Sequence, residues 1–412
     1  MKKVFTLIGK SLLSIILILL LFVFATSVSL VYDYPEQKPF AGPNIFNPYR
    51  LLDSVPNWKR ANFHTHTRVK GPLNECKYTP SETDEAYRKL GYDIVTFSNH
   101  NELTKHPYDS TLQVNVYEHG YNILKFHKLV FGANQVNYFD NLAPIFSFQK
   151  QFMLDKLAEQ ADFIQLNHPV RTFCLPKSQM QQLEGYKITE LDTGKTTENE
   201  FWDWSLSNGL YTFGLANDDL HYPDRSNKIA RRSNFLSTPS AKYDDLKNVL
   251  MTGAYYSMRT PDYGNGDWEL KYASNRNLPM VKTIGLDNNE TVFMTVSQIA
   301  DSLKVTGQDH KTLALTVNTD TIRYTLSAHD PYARITAYFP SGEVIYSNPF
   351  ARYDASISDS PFRQPQHTVN VPLSILYLIV LLILCAADYY LLYLLIGKRK
   401  SLRNSQGNSS SL

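Results

Sequence analysis

Two long apolar runs frame this chain and limit what it can fold into. Residues 11–32 carry no charge, and residues 11–25 read SLLSIILILLLFVFA. Twenty-two uncharged residues rising 1.5 Å each give about 33 Å, enough to cross a hydrocarbon core of about 30 Å. Residues 371–386 read VPLSILYLIVLLILCA and continue through Asp388 into YYLLYLLIG. Tyr389, Tyr390 and Tyr393 suit an interfacial belt, and Asp388 is least costly near that interface. Lys2, Lys3 and Lys10 precede the first run, and Lys398, Arg399, Lys400 and Arg403 follow the second. Basic flanks stay in the cytoplasm. Both termini are therefore expected there, in a two-span protein of the cell (inner) membrane. Residues between the spans then lie outside the cytoplasm. The other reading of the first run is a cleaved signal peptide, since Ala25 and Ser27 are small. For the second it is a buried core helix.

The expected organisation is an N-terminal transmembrane helix within 1–32, a Pro-, Asn- and Tyr-rich linker at 33–56, a main domain at 57–252, a small β domain at 253–362, a C-terminal transmembrane helix at 371–397, and a Ser- and Asn-rich cytoplasmic tail without structure of its own at 398–412. Lys and Arg number 41, Asp and Glu 39. The two ends hold seven of the bases and one acid, so residues 32–370 carry 34 bases and 38 acids. An acidic middle argues against a nucleic-acid partner; the partner expected is the lipid bilayer. Nothing in the sequence marks an oligomeric state. Cys76 and Cys174 fall in the far-side region, where a disulfide between them would persist.

From residue 57 strand and helix signals alternate. Strands are expected at 60–67, 93–98, 129–136, 163–167, 186–191 and 210–216. Helices are expected from the capping box Thr79-Pro80-Ser81-Glu82 to Gly91, and at 149–160, 198–207 and 242–251. Repeated strand–helix–strand units imply a parallel sheet with crossovers, and this many imply a barrel or near-barrel with active groups at the carboxyl ends of its strands. Residues 254–352 change to short apolar alternations such as TLALTV and ARITAYF, read as a small β-sandwich.

The histidines stand where a metal site needs them. His64 and His66, two apart at the end of the first strand, point to one face, and two imidazoles there can hold one divalent ion at roughly 2.0–2.1 Å. His100 follows strand DIVTFS, His168 follows FIQL, and Asp219 and His221 follow YTFGLA. His106, His119, His127, His310, His329 and His367 are read as solvated or locally bonded imidazoles.

The elements Phe63-His64-Thr65-His66-Thr67, Ser98-Asn99-His100-Asn101, Asn167-His168-Pro169 and Asn217-Asp218-Asp219-Leu220-His221 together resemble the PHP (polymerase and histidinol phosphatase) family over roughly 58–250. The resemblance implies an α/β fold, a distorted TIM-like (β/α)7 barrel, binding Zn, Mn or Fe and in many members hydrolysing phosphoesters. By that analogy His64, His66 and Asp219 hold one ion, His100 and His221 another, and His168 a further one. The sequence departs from the family pattern in three places. Arg68-Val69-Lys70-Gly71 replaces an acidic step, leaving Glu75 as the nearest acid. Asn99-His100-Asn101 replaces Asp-His-Asp. Gly132-Ala133-Asn134-Gln135 offers amides where a bridging Glu is expected. One or two ions are therefore expected rather than three.

A divalent ion would supply an activated water and polarise a phosphoryl oxygen. Arg68, Lys70 and Arg171 lie near the proposed ligands in sequence and could neutralise phosphate, and Asp218 or Glu102 could orient water or accept a proton. The resemblance makes the leading reading a membrane-anchored, metal-dependent hydrolase cleaving a phosphoester of a small phosphorylated substrate outside the cytoplasm, in the periplasm if the envelope is Gram-negative. The alternatives are a hydrolase of an amide or glycan-linked ester at the same site, and a degenerate barrel that binds a ligand or partner without turnover. The missing acids favour the last.

Overall fold

The computed structural model of the chain describes residues 2–54, 56–71, 74–193 and 199–407. The first apolar run forms helix α1 (Lys2–Thr26), followed by short strands β1 (Tyr32–Asp33) and β2 (Asn44–Phe46). The site-bearing part comprises β3 (Trp58–Asn62), α2 (Pro80–Arg88), β4 (Ile94–Val95), β5 (Val116–His119), β6 (Lys128–Phe131), α3 (Ser147–Ala158), β7 (Phe163–Leu166), α4 (Lys177–Met180), β8 (Ile188–Glu190), α5 (Glu200–Ser207) and β9 (Phe213–Leu215). Then come β10 (Arg232–Ser237), α6 (Tyr243–Thr252), β11 (Tyr255–Arg259) and α7 (Trp268–Arg276). The outer strands are β12 (Val281–Leu286), β13 (Thr291–Thr306), β14 (Thr312–Thr325), β15 (Tyr332–Tyr338), β16 (Val344–Ser347), β17 (Phe350–Tyr353) and β18 (Thr368–Val369). Helix α8 (Val371–Gly407) carries the second apolar run. It continues well into the tail expected to lack structure; residues 408–412, like residue 198 of the expected helix 198–207, lie outside the described residues.

Local chemistry places these elements. Helix α2 starts where Thr79 accepts from the Glu82 amide and the Glu82 carboxylate accepts from the Thr79 amide at 2.7 Å, with Pro80 at the first helical position, where its missing N–H is harmless. The chain turns out of α2 at Gly91, whose φ of 82° a side chain would resist. Strands β5, β6, β7 and β8 are buried along their whole length, on both faces. They therefore read as continuous runs rather than alternations.

The fold is mixed α/β. Its described strands make an 11-stranded sheet, a 5-stranded sheet in the order β5-β6-β7-β8-β9, and a 2-stranded ladder of β1 and β18. Strands β3 and β4 are parallel, as are β7, β8 and β9. Strand β6, however, runs antiparallel to both β5 and β7. The expected all-parallel order breaks there: only residues 120–127 join β5 to β6, too few for the crossover a parallel pair requires, and β6 pairs antiparallel with β7 although helix α3 lies between them. No continuous ladder closes a barrel among the described residues. Isolated parallel bridges, Thr65↔Leu220 and His100↔Glu118, link the β3–β4 pair to the two ends of the 5-stranded sheet.

The expected sandwich strands are not hydrogen-bonded apart from the rest. Strand β11 pairs with β10 on one side and β16 on the other, so one sheet runs from β3 and β4 into the outer strands. Their own apolar core includes Phe235, Met258, Val292, Leu303, Ile335 and Phe350. A second core, under the site, gathers Phe63, Phe131, Phe163, Ile188, Trp202 and Phe213.

Residues 5–26 and 371–396 are long and apolar enough to cross a membrane, at 22 and 26 residues. Helices α1 and α8 touch, and bonds join the chain where they meet the domain. Tyr32 pairs with Val369, the Val31 amide donates to Ser374 Oγ at 2.9 Å, and the Tyr377 hydroxyl donates to the Ser27 carbonyl at 2.6 Å. The Cys76–Cys174 disulfide weighed from the sequence is not formed. Both thiols are free, Cys76 buried and Cys174 exposed.

Candidate metal centre

The groups that gather come from the ends of seven strands. His64 and His66 follow β3, His100 follows β4, Glu118 lies in β5, His127 precedes β6, His168 follows β7, Glu190 ends β8, and Asp219 and His221 follow β9. Because β6 is reversed, its amino end faces the same side as the carboxyl ends of its neighbours, and this brings in His127. The turns that aim these side chains include His168 and Asp219 at φ of 27° and 50°. Such left-handed backbone costs roughly 1–3 kcal/mol per residue and persists where surrounding structure enforces it.

Glu118 is the centre. Its Oε1 lies 3.2 Å from His64 Nε2, 3.2 Å from His127 Nδ1 and 3.3 Å from His168 Nε2. Its Oε2 lies 3.1 Å from His66 Nε2 and 3.2 Å from His100 Nε2. Asp219 Oδ1 sits 3.2 Å from His64 Nε2 and 3.1 Å from His66 Nε2, and Arg171 pairs with its other oxygen. Glu75 Oε2 closes the outer side, 2.8 Å from His221 Nε2 and 3.5 Å from His100 Nε2.

These residues fit a cation. One set, His64, His66, Glu118 and Asp219, and a second, His100, Glu118 and His127, each bring their ligand atoms within 4.8 Å of one another. Four atoms bound tetrahedrally at 2.0–2.1 Å stand about 3.3 Å apart, close to the separations seen here. The protonation pattern points the same way. His64 Nδ1 is 2.8 Å from Glu190 Oε1 and donates to it, so in the neutral ring the lone pair is on Nε2. That lone pair faces carboxylate oxygens of Glu118 and Asp219 and has no hydrogen-bond partner. Acceptor against acceptor repels unless a proton or a metal lies between, and a histidine oriented by a carboxylate behind it is a common metal ligand. His221 repeats the arrangement, with Nδ1 on the Asp219 carbonyl at 2.9 Å and Nε2 toward Glu75.

Without a cation the cluster balances its charge with protons. Burial opposes charge on His64, but Glu118, Asp219 and Glu190 outweigh it and hold the imidazole well above its ordinary pKa. His100 is likewise lifted against burial, to about 9, by Glu118 and Glu75. Burial opposes ionisation of Glu118 too, yet the surrounding imidazoles hold it far below the carboxylate range. His168 goes the other way, lowered by burial. The folded pKa of His100 exceeds the unfolded value of about 6.5, so its contribution is complete below about pH 6.5 and disappears as pH rises through about 9. Chelator-treated protein should therefore lose roughly 3 kcal/mol between those limits, at about 1.4 kcal/mol per pKa unit, whereas metal-loaded protein should not. Thermal unfolding across that range checks this; a chelated protein whose stability stays level or rises with pH contradicts the account.

Six residues proposed as ligands from the sequence, His64, His66, His100, His168, Asp219 and His221, thus lie together. Of the residues given catalytic roles, only Arg171 reaches the cluster. Arg68 is exposed and among the described residues makes no hydrogen bond or ion pair to it, and neither does Glu102. Asp218 is turned away, its carboxylate accepting from the Ala230, Arg231 and Arg232 amides and the Tyr87 hydroxyl at 2.7–2.9 Å. It anchors the loop after β9 and has no free oxygen for a proton. Residues 132–135 supply no acid to the cluster; the carboxylate common to both candidate ligand sets stands one strand earlier, as Glu118. His127 belongs to the cluster, while His119 is buried with Nε2 on the Phe139 carbonyl. Beside Asp219 a cleft of about 290 Å3 opens, lined by Arg171, His221, Tyr222, Lys228 and Arg231 among others.

No family model matches the sequence, and no curated protein matches it. Among solved structures the chain is similar to a two-domain protein from Bacteroides vulgatus that contains a predicted PHP-like metal-dependent phosphoesterase, at 15% identity and a TM-score of 0.36, over 76% of this chain and 99% of that one.

Proposed function

We propose that this chain is a membrane-anchored, PHP-like hydrolase that uses divalent metal to cleave a phosphoester outside the cytoplasm. The observation that carries this is Glu118, a buried carboxylate ringed by five imidazoles and shared between two candidate ligand sets. A carboxylate so shared can hold two cations close by offsetting their repulsion, and two is the number proposed. Zn, Mn and Fe all suit imidazole and carboxylate donors. Bound there, they supply Lewis acidity and an activated water. The ring of strands β3 to β9, joined at its seams by single bridges, is read as a distorted seven-stranded barrel.

The chain's own residues perform the rest. Arg171, exposed beside Asp219, offers guanidinium donors to a phosphoryl oxygen, and Lys228 and Arg231 make the adjoining cleft attractive to anions. Glu190 fixes the ring of His64 from behind and also accepts the His168 amide at 2.7 Å. The reading without turnover loses one of its supports, because Glu118 can serve as the bridging acid, although Asn99 and Asn101 stand where the family pattern has acids. Chelator should abolish hydrolysis of a generic phosphomonoester or diester, and added Zn, Mn or Fe should restore it. His66→Ala should remove both bound metal and turnover; elemental analysis with a phosphate-release assay reads both, and a variant hydrolysing at the parental rate refutes the proposal.

A further inference from the structure

The metal cluster shares a short stretch of chain with an apolar patch, and that patch lies against the two membrane-type helices. His168 sits on Glu118, and Arg171 on Asp219. In the same segment Val170 and Phe173 expose 42% and 58% of their surface. Phe173 is five positions beyond His168, a span of at most about 18 Å. Around Phe173 lie Ile123, Ile145 and Phe146, each about half exposed or more. They form one patch: the Phe173 amide donates to the Leu124 carbonyl at 2.8 Å, and Lys150 Nζ donates to the carbonyls of both Ile145 and Cys174.

The patch is tied to the helices at a definite depth. The Ile123 amide donates to the Leu142 carbonyl, and the Leu142 amide to Thr26 Oγ1 at the end of α1. Phe146 stacks on Phe148, and Phe148 packs edge-on against Tyr377 with ring centroids 5.0 Å apart. Tyr377 is six residues into the apolar run of α8, or about 9 Å along it. A patch at that level cannot stand clear of a bilayer that the helix crosses. Interfacial apolar faces typically sink about 5–10 Å into the headgroup and acyl boundary. The charge agrees. Across residues 120–151 and 168–183 the single acid is Asp140, which is buried and bonded to the Tyr121 amide and Asn122. Lys125, Arg171 and Lys177 are exposed.

We infer that this patch rests in the bilayer surface and holds the mouth of the metal centre at the lipid headgroups. The inference rests on the reading of the two runs as membrane spans. Large exposed apolar patches on otherwise soluble domains mark such contacts, and the tether makes the surface permanently available at high local concentration.

The native Cys174 thiol beside Phe173 provides the test. In full-length protein with Cys385→Ala, reconstituted in nanodiscs of phosphatidylcholine and phosphatidylglycerol, an environment-sensitive fluorophore on Cys174 should emit to the blue. It should lose most of its emission to phospholipid spin-labelled near the headgroup. The same label on Leu315→Cys, in a Cys174→Ser background, should be unaffected, since Leu315 is equally exposed but lies on β14, outside the patch. Phe173→Asp should reduce quenching at Cys174 without changing bound metal. Alkaline carbonate first separates the two readings. Protein released by it refutes the anchoring; protein retained but unquenched at Cys174 refutes the patch alone.

Discussion

Glu118→Gln is expected to empty the metal centre. The substitution keeps shape and volume but replaces a carboxylate that faces five imidazoles with a neutral amide. An amide oxygen cannot offset the repulsion between two cations, and its NH2 end would point a donor where a cation belongs. Loss of a residue that merely orients a ligand typically lowers metal affinity or activity about 10- to 100-fold. Removal of the shared ligand should exceed that, with turnover falling more than about 100-fold. The chelated protein offers an independent readout. In it Glu118 is the main partner that lifts His64 and His100 above their ordinary pKa, so Glu118→Gln should flatten the loss of stability between about pH 6.5 and 9. A merely structural role would leave that slope in place. If Glu118→Gln retains both its metal and its turnover, the shared-carboxylate centre is wrong, however the histidines are arranged.

Glu118 also shows where sequence reasoning stops. His64, His66, His100, His168, Asp219 and His221 could be placed because each follows a run that reads as a strand, and parallel strands deliver their carboxyl ends to one rim. Glu118 lies in Val116-Tyr117-Glu118-His119, four residues buried on both faces. With no polar alternation, nothing in that stretch announces a strand. His127 failed for a related reason. It precedes its strand, and only the antiparallel pairing of β6 with both neighbours turns that end toward the cluster. Strand direction is set by tertiary pairing, which a buried run such as Lys128–Phe131 does not encode. Glu75 sits in a loop, 53% exposed, and is recruited by His221 and His100 across the rim. Asp218 was misread for the opposite reason. Two adjacent acids after a strand look equivalent in sequence, but successive side chains point opposite ways, and one of the pair is spent on the Ala230–Arg232 amides. The apolar spans and the α2 capping box were legible because their signals are local: length in one case, and a four-residue hydrogen-bond pattern in the other.

Asp203→Ala should destabilise the protein by about 3–5 kcal/mol, the usual result of leaving one buried charge without its partner. Asp203, on α5, is fully buried and takes both arms of the Arg334 guanidinium, Nε at 2.7 Å and Nη2 at 2.5 Å. His310 Nδ1 stands 3.0 Å from the same carboxylate. Arg334 belongs to β15 and is 3% exposed, so water cannot replace the lost acid. The site strands and the outer strands meet at this pair. Gln308 donates to the Ser207 carbonyl at the end of α5, and the Asp309 amide donates to the Ser207 hydroxyl. Helix α5 in turn carries Trp202 into the core beneath β8 and β9, the strands that end at Glu190 and lead to Asp219. A total stability of 5–15 kcal/mol is ordinary, so the expected loss is a large part of it. Denaturant unfolding should show one transition moved to lower midpoint, with metal retention falling alongside it although Asp203 touches no ligand. Because a buried ion pair is often replaceable by apolar residues of similar size, Asp203→Leu with Arg334→Met should recover most of what Asp203→Ala loses. A double variant no better than the single one would mean that the pair specifies how the two parts dock rather than simply balancing charge between them.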